Sequence, residues 1–261
     1  CLIRIKFYFC GVIMATYKKR SSKSKSSVRA KNIESTKQVF DTLDDSASKT
    51  ETFVSQYQNY IIGAIISVLV LFSIYFAYDK FIMQPKTAES NLEIFTAQKY
   101  FDLAMKSDEN KDSLFNLSLN GADGKFGFLD IIDNYSGTDA SNLSYYSAGM
   151  AYYNMKKYDL AIEMLENFSS DDEILQSLSL STIGDSFVQL NQFDDGLSYY
   201  ESALSYSENS FVRPLILLKA GDLAKELNKL NKSVKFYEEI KNDFPKSDQA
   251  NLIDVRLEQV K

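Results

Sequence analysis

The chain of 261 residues contains no histidine and no tryptophan, and its two cysteines, Cys1 and Cys10, both sit within the first ten positions. Without histidine there is no Ser/His or Cys/His pair for nucleophilic catalysis and no His cluster for zinc; with no later cysteine, the rest of the chain has no disulfide framework. It must hold together by packing alone. Only carboxylates, Lys, Arg and Tyr remain as acids and bases, so the composition argues against an enzyme and against a metal or cofactor. Two acidic groups bear on that conclusion. Asp171, Asp172 and Glu173 fit the acidic first turn of a helix better than a catalytic pair. The carboxylates of Asp108, Glu109, Asp112 and Asp123 lack the alternation and closing glutamate of an EF-hand loop. Prolines number three in all, so little interrupts helix formation.

Charge is missing altogether from Phe53 to Tyr78. The centre of that run, residues 60–78, reaches about 28 Å as a helix, which matches a hydrocarbon core of roughly 30 Å. Tyr57, Tyr60, Tyr75 and Tyr78 stand at its two ends as an interfacial belt would. The run is therefore read as a transmembrane helix and the lipid bilayer as a partner. Ahead of it, Lys18, Lys19, Arg20, Lys23, Lys25, Arg29 and Lys31 form a basic cluster without an acid. That cluster sets topology: the N-terminus stays in the cytosol. From Tyr60 onward there are 18 Lys and Arg against 30 Asp and Glu, so the part beyond the span carries about minus twelve and is the part expected across the membrane.

The chain begins on Cys1, and Met14-Ala-Thr-Tyr-Lys-Lys-Arg20 reads as a natural start, so residues 1–13 are read as upstream read-through. Residues 14–59 form a basic, Ser-rich cytosolic tail with too little apolar content to fold, apart from Val39, Phe40, Leu43, Ala47 and Val54 at helical spacing. The tail has no aromatic interleaving, so attraction to anionic lipid is favoured over nucleic acid. Residues 79–86 are expected to be a short linker, and residues 87–261 a soluble helical domain.

That domain has a period. Gly149, Gly184 and Gly221 stand 35 and 37 residues apart. Twelve residues after each comes a small side chain, Ala161, Gly196 or Ser233; sixteen after each comes a large one, Leu165, Tyr200 or Tyr237. Tyr152 and Phe187 follow the first two glycines by three residues, Ala203 follows Tyr200 by three, and Pro245 marks the turn after the last unit. Small residues let paired helices cross closely while the large one fills the groove between pairs. Asn134–Leu143 echoes Asp243–Leu252 at a distance of 109 residues, close to three periods.

These positions resemble the tetratricopeptide repeat. The match is degenerate, since the family's first-helix tryptophan is missing throughout and Ala224 stands where the third unit should carry an aromatic. The resemblance implies an all-α fold: a transmembrane helix followed by an α-solenoid of three to four helical pairs with a C-terminal capping helix. The units fall at about 87–135, 140–170, 171–207 and 210–245, with a cap at 247–260 opened by Ser247. In the first unit, Leu92, Phe95, Ala97, Tyr100, Phe101 and Ala104 are the expected packing stripe, Ser107–Asp123 an irregular insertion, and Gly124–Asn134 the second helix.

A solenoid of this kind binds proteins or peptides in a concave groove. Tyr146 and Tyr199 are the candidates for exposed groove residues, and an acidic groove would favour basic or unfolded clients. With a short basic tail, one span and a translocated acidic repeat domain, the chain is similar to the bacterial single-pass repeat proteins that include the ancillary subunit of the SecYEG translocon. That resemblance implies the inner membrane, a periplasmic repeat domain, and a part in translocation or in hand-over to periplasmic chaperones. The alternative is a homo-oligomeric, cell-division or envelope-assembly scaffold.

Overall fold

The computed structural model describes residues 55–107, 109–206 and 208–260. The basic cluster Lys18–Lys31, the start region and residues 33–54 lie outside the described residues. The chain divides into two compact units, one ending at Phe72 and the other beginning at Ser73.

In the first unit the described backbone is helical from Ser55 onward, and all its side chains are exposed. The helical run Ser55–Lys106 contains an 18-residue stretch of mean hydropathy 2.4, none of it buried by the rest of the chain. Among the described residues it is the one helix long and apolar enough to cross a membrane. Its hydroxyl at Ser67 donates to the Gly63 carbonyl at 2.9 Å, so the polar group is satisfied within the helix.

In the second unit, residues 79–86 depart from the expected linker. Asp79–Met83 form a turn of π-helix, followed directly by α1, Gln84–Lys106. Pro85 sits in the first turn of α1. A proline ring clashes with the carbonyl four residues back, here that of Phe81, and the wider π-turn gives that carbonyl room, so the helix continues where a linker was expected.

The expected insertion is also helical in part. Lys111–Asn120 form α2, with Phe115 and Leu119 one turn apart and fully buried. Gly121 ends it at a positive φ of 90°, and a tight turn with one isolated bridge, Ala122 to Lys125, leads to α3, Phe128–Asn134. The second helix of this unit therefore starts at Phe128 rather than Gly124, and α1 takes α2 as its hairpin partner.

Three hairpins follow: α4 (Asp139–Asn154) with α5 (Tyr158–Glu166), α6 (Glu173–Gln189) with α7 (Phe193–Tyr206), and α8 (Val212–Glu226) with α9 (Leu230–Asp243). Thr138 caps α4 through Ser141 N, and Asp172 caps α6 by accepting from Ile174 N and Leu175 N. Asp172 thus spends its carboxylate on a helix end. A 3₁₀ turn, Asp248–Leu252, and α10, Ile253–Glu258, close the array. The expected Ser247 cap is absent as such: its hydroxyl donates back to the Phe244 carbonyl instead. Ile253, Leu257 and Val260 are buried there, whereas Leu252 and Val255 face outward.

The apolar core comes in two clusters. One joins α1 to α4, around Phe115, Phe128, Ile131 and Ala148; the other joins α7 to α10, around Leu217, Tyr237, Ile240 and Ile253. Between them lies α6, whose buried residues include Ser177, Ser179, Ser181, Thr182 and Ser186. Ser177 donates to the Ala203 carbonyl at 3.1 Å, Ser186 to that of Thr182 at 2.8 Å and Thr182 to that of Leu178 at 2.9 Å, and Ser181 accepts from Lys219 at 3.3 Å, which leaves the Ser179 hydroxyl as the unsatisfied member of this layer.

Candidate functional site

The three hairpins from α4 to α9 are built by one set of contacts repeated. A Cβ placed on Gly149 would lie 2.5 Å from Leu165, one on Gly184 would lie 2.7 Å from the Tyr200 ring, and one on Gly221 would collide with the Tyr237 ring. The residue twelve places on lies beside the same glycine. The carbonyls of Ala161 and Gly196 come within 3.3 and 3.1 Å of that added atom, and Ser233 donates to the Gly221 carbonyl at 2.8 Å. Ala203 is buried beneath Tyr200, Tyr152 and Phe187 are half-buried, and Pro245 lies exposed in the turn after α9.

The hairpin turns repeat as well. Lys156, Asn191 and Asn228, each seven residues past its glycine, take positive φ values of 60°, 61° and 57°. The next amide in each case reaches back to the carbonyl of Tyr152, Phe187 or Ala224, at 2.9, 2.9 and 2.8 Å. These are left-handed helix ends closed by a six-to-one bond. Asparagine tolerates that conformation well, so two of the three were open to sequence reasoning; Lys156 carries no such signal.

Two segments, residues 144–168 and 216–247, match models described as tetratricopeptide repeat. The chain carries tetratricopeptide repeats. The middle hairpin lies between the two matched segments, yet its Gly184–Tyr200 contact and its Asn191 turn reproduce those on either side. A comparison with curated proteins finds no match.

Within the array, the first helices of successive units touch one another in turn: α1 with α4, α4 with α6, α6 with α8, and α8 with the closing 3₁₀ turn. The backbones of the second helices α5, α7 and α9 approach only first helices and the cap, and the second helices reach one another only through long side chains, as in Tyr199 to Glu166 and Lys232 to Glu201. The first-helix row is therefore the tighter side of the solenoid, the side that lines a groove. Repeats of this type act as protein-interaction surfaces.

Along that row runs a ladder of carboxylates. Asp185 of α6 accepts from the Tyr200 hydroxyl at 2.6 Å and pairs with Lys219 of α8 at 2.6 Å. One unit later, Asp222 of α8 accepts from Tyr237 at 2.6 Å and pairs with Arg256 of α10. Tyrosine follows carboxylate by 15 residues and cation by 34 in both. Burial first, and then the Asp185 charge, push the Tyr200 hydroxyl far above its ordinary pKa; burial and the bond to Asp222 raise that of Tyr237. Tyr153 of α4 feels the Asp185 charge as well, which carries the row from α4 to α8. In the α4–α5 hairpin the corresponding places hold Met150 and Leu165, so the ladder ends there.

This changes the expectation of an acidic groove. Asp185 and Asp222 are each matched by a cation and a phenol, because residues one unit apart along the row face each other across a single helix spacing. Around Asp185 and Asp222 the row offers a partner half-buried aromatic and polar surface with those two charges already paired.

The two candidate groove tyrosines are less exposed than expected. Tyr146 is half-buried with its ring 5.1 Å from that of Phe168. Tyr199 belongs to α7, a second helix, and therefore lies off the first-helix row. It stacks on Phe187 at 5.2 Å and donates to Glu166 at 2.6 Å, and burial together with that carboxylate pushes its pKa up to about 12.

Two open clefts flank the turn Gly137–Asp139 at the head of α4. One, of about 610 Å³, is bounded by Tyr75, Tyr78, Met83, Thr87 and Asn91; the other, of about 370 Å³, by Ser136, Ser141, Asn142, Tyr145 and Ser169. Asn142 clasps Ser169 at the floor of the second, donating to its carbonyl at 2.7 Å and accepting from its amide at 3.2 Å.

Proposed function

We propose that the protein is a membrane-anchored scaffold of the bacterial inner membrane, with its repeat array in the periplasm, that assists protein translocation or hand-over to periplasmic chaperones. The observation carrying this reading is a helical run with an uncovered apolar stretch of mean hydropathy 2.4 that leads straight into an array of protein-binding repeats. The basic cluster Lys18–Lys31 supports a cytosolic N-terminus by the charge rule. Residues 79–86 are helical, so few residues separate the apolar run from the first repeat unit.

Clients are held on the first-helix row between Tyr153 and Arg256. Since Asp185 and Asp222 are paired within the protein, binding there is expected to weaken little with added salt. The test is photo-cross-linking of the full-length protein in its native membrane, with photoreactive residues at Tyr78 and Tyr153. Translocon subunits or exported chains at both positions support the reading; adducts confined to cell-division or cell-wall proteins would replace it with an envelope-assembly scaffold.

A further inference from the structure

Helix α1 is apolar on two opposite sides. Ser90, Ile94, Ala97 and Ala104 are buried against the repeat domain. Leu92 and Phe95, expected from the sequence to join that packing, are 78% and 68% exposed instead. At 100° per residue Leu92 stands about 200° from Ile94, on the far side of the helix. Pro85 and Ala88 are exposed on the same outward line, and Phe81, one turn earlier, is 76% exposed. From Pro85 through Ala88 and Leu92 to Phe95 the steps are three, four and three residues, the spacing of a coiled-coil seam.

From this face we infer that two copies of the chain pair in parallel, α1 against α1. Two observations favour a second copy as the occupant. The outward face points directly away from the buried one, so a two-fold axis along it leaves each repeat domain on its own outer side. Beside the apolar seam no like charges are opposed in a parallel, in-register pair, since Gln84 faces the other copy's Glu89, Asn91 faces Thr96 and Gln98 faces Leu103; past Phe95 the line would bring Lys99 and Asp102 onto their own counterparts, so the close contact ends at Phe95.

Lipid is a poor cover for this face. Leu92 and Phe95 follow Tyr78 by 14 and 17 residues, about 21 to 26 Å of helix axis, whereas the headgroup layer is only some 5 to 8 Å deep. Lys99 and Asp102 continue the line and end the apolar seam. The parallel orientation rests on the anchored reading above, since a single span tethers all copies at one level and raises their effective concentration.

Disulfide trapping tests the inference on the full-length chain in membranes, in a background where Cys1 and Cys10 are serine. Oxidation of Leu92→Cys should give a species of twice the chain mass, at least five-fold more than Lys235→Cys on the exposed side of α9. In detergent, the double variant Leu92→Glu with Phe95→Glu should halve the mass read by light scattering while leaving the helical circular dichroism unchanged. Equal trapping at both cysteines, a wild-type protein already at monomer mass, or a cross-link to a different protein at residue 92 would each overturn the pairing. Carbonate washing of the same membranes separates the two readings. A chain released by carbonate overturns the anchor, whereas one retained but not trapped overturns the pairing alone.

Discussion

The side chains that define the repeat do so by what they exclude. Gly149, Gly184 and Gly221 have no room for a methyl group, and the neighbour in the way differs: a flexible Leu165 in the first unit, a rigid phenol ring in the others. Gly221→Ala is therefore expected to cost about 1 to 3 kcal/mol through overpacking against Tyr237, with Gly149→Ala costing less because Leu165 can change rotamer and alanine favours helix. Urea unfolding of the two variants would show that order. Tyr199 supplies a pH signature. Its folded pKa of about 12 lies above the unfolded value near 10, so the stability that it contributes is complete below pH 10 and is lost as pH rises toward 12. Tyr199→Phe should flatten the decline in helical circular dichroism across that window; an unchanged alkaline limb would show that Glu166 does not hold the phenol in solution.

At the scale of the element, the turns show how a degenerate repeat keeps its geometry. Lys156, Asn191 and Asn228 occupy one left-handed position in three successive hairpins, and only the lysine is poorly suited to it. Lys156→Gly is expected to raise stability by about 0.5 to 1 kcal/mol, since glycine takes positive φ without the Cβ clash, while Asn191→Gly gains less. Denaturation midpoints of the two variants would test the difference. The elements least legible in the sequence were the first two. The run of residues 107–123 looked irregular because its turn residues cluster at Asn120–Gly124, and that signal concealed the amphipathic turn-and-a-half of Phe115, Ser118 and Leu119 ahead of it. Residues 79–86 were expected to be a linker, yet they are helical, and Pro85 falls in the first turn of α1, where a helix accepts it.

For the whole repeat domain, the division of the core decides how it should come apart. Two apolar clusters are separated by the serine-lined α6, and each hairpin contacts only its neighbours. Ile240→Ala, in the centre of the C-terminal cluster, should cost about 2 to 5 kcal/mol there and expose the amides of α8 and α9 to hydrogen exchange, while those of α2 and α4 stay protected. Loss of protection at equal rates in both halves would mean that α6 couples the clusters in spite of its polar interior.

The periodic part of this chain was written into its sequence. A glycine, a small residue twelve places on and a large one sixteen places on describe contacts inside a single hairpin, and such local contacts leave a spacing that can be read without coordinates. The charge-free run before them was equally plain, because a stretch that can expose no polar face has few environments open to it. The tertiary structure alone decided the rest. An acidic groove was the expectation, and only the fold shows Asp185 and Asp222 paired with Lys219 and Arg256 one unit away. Tyr199 read as a groove residue until its ring was found on Phe187. Leu92 and Phe95 fit a buried stripe by composition, and only the packing of Ile94 and Ala97 showed which side of α1 faces the domain. Each of these depends on partners a full repeat distant or on the choice between two apolar sides of one helix, and neither leaves a periodic mark in the chain.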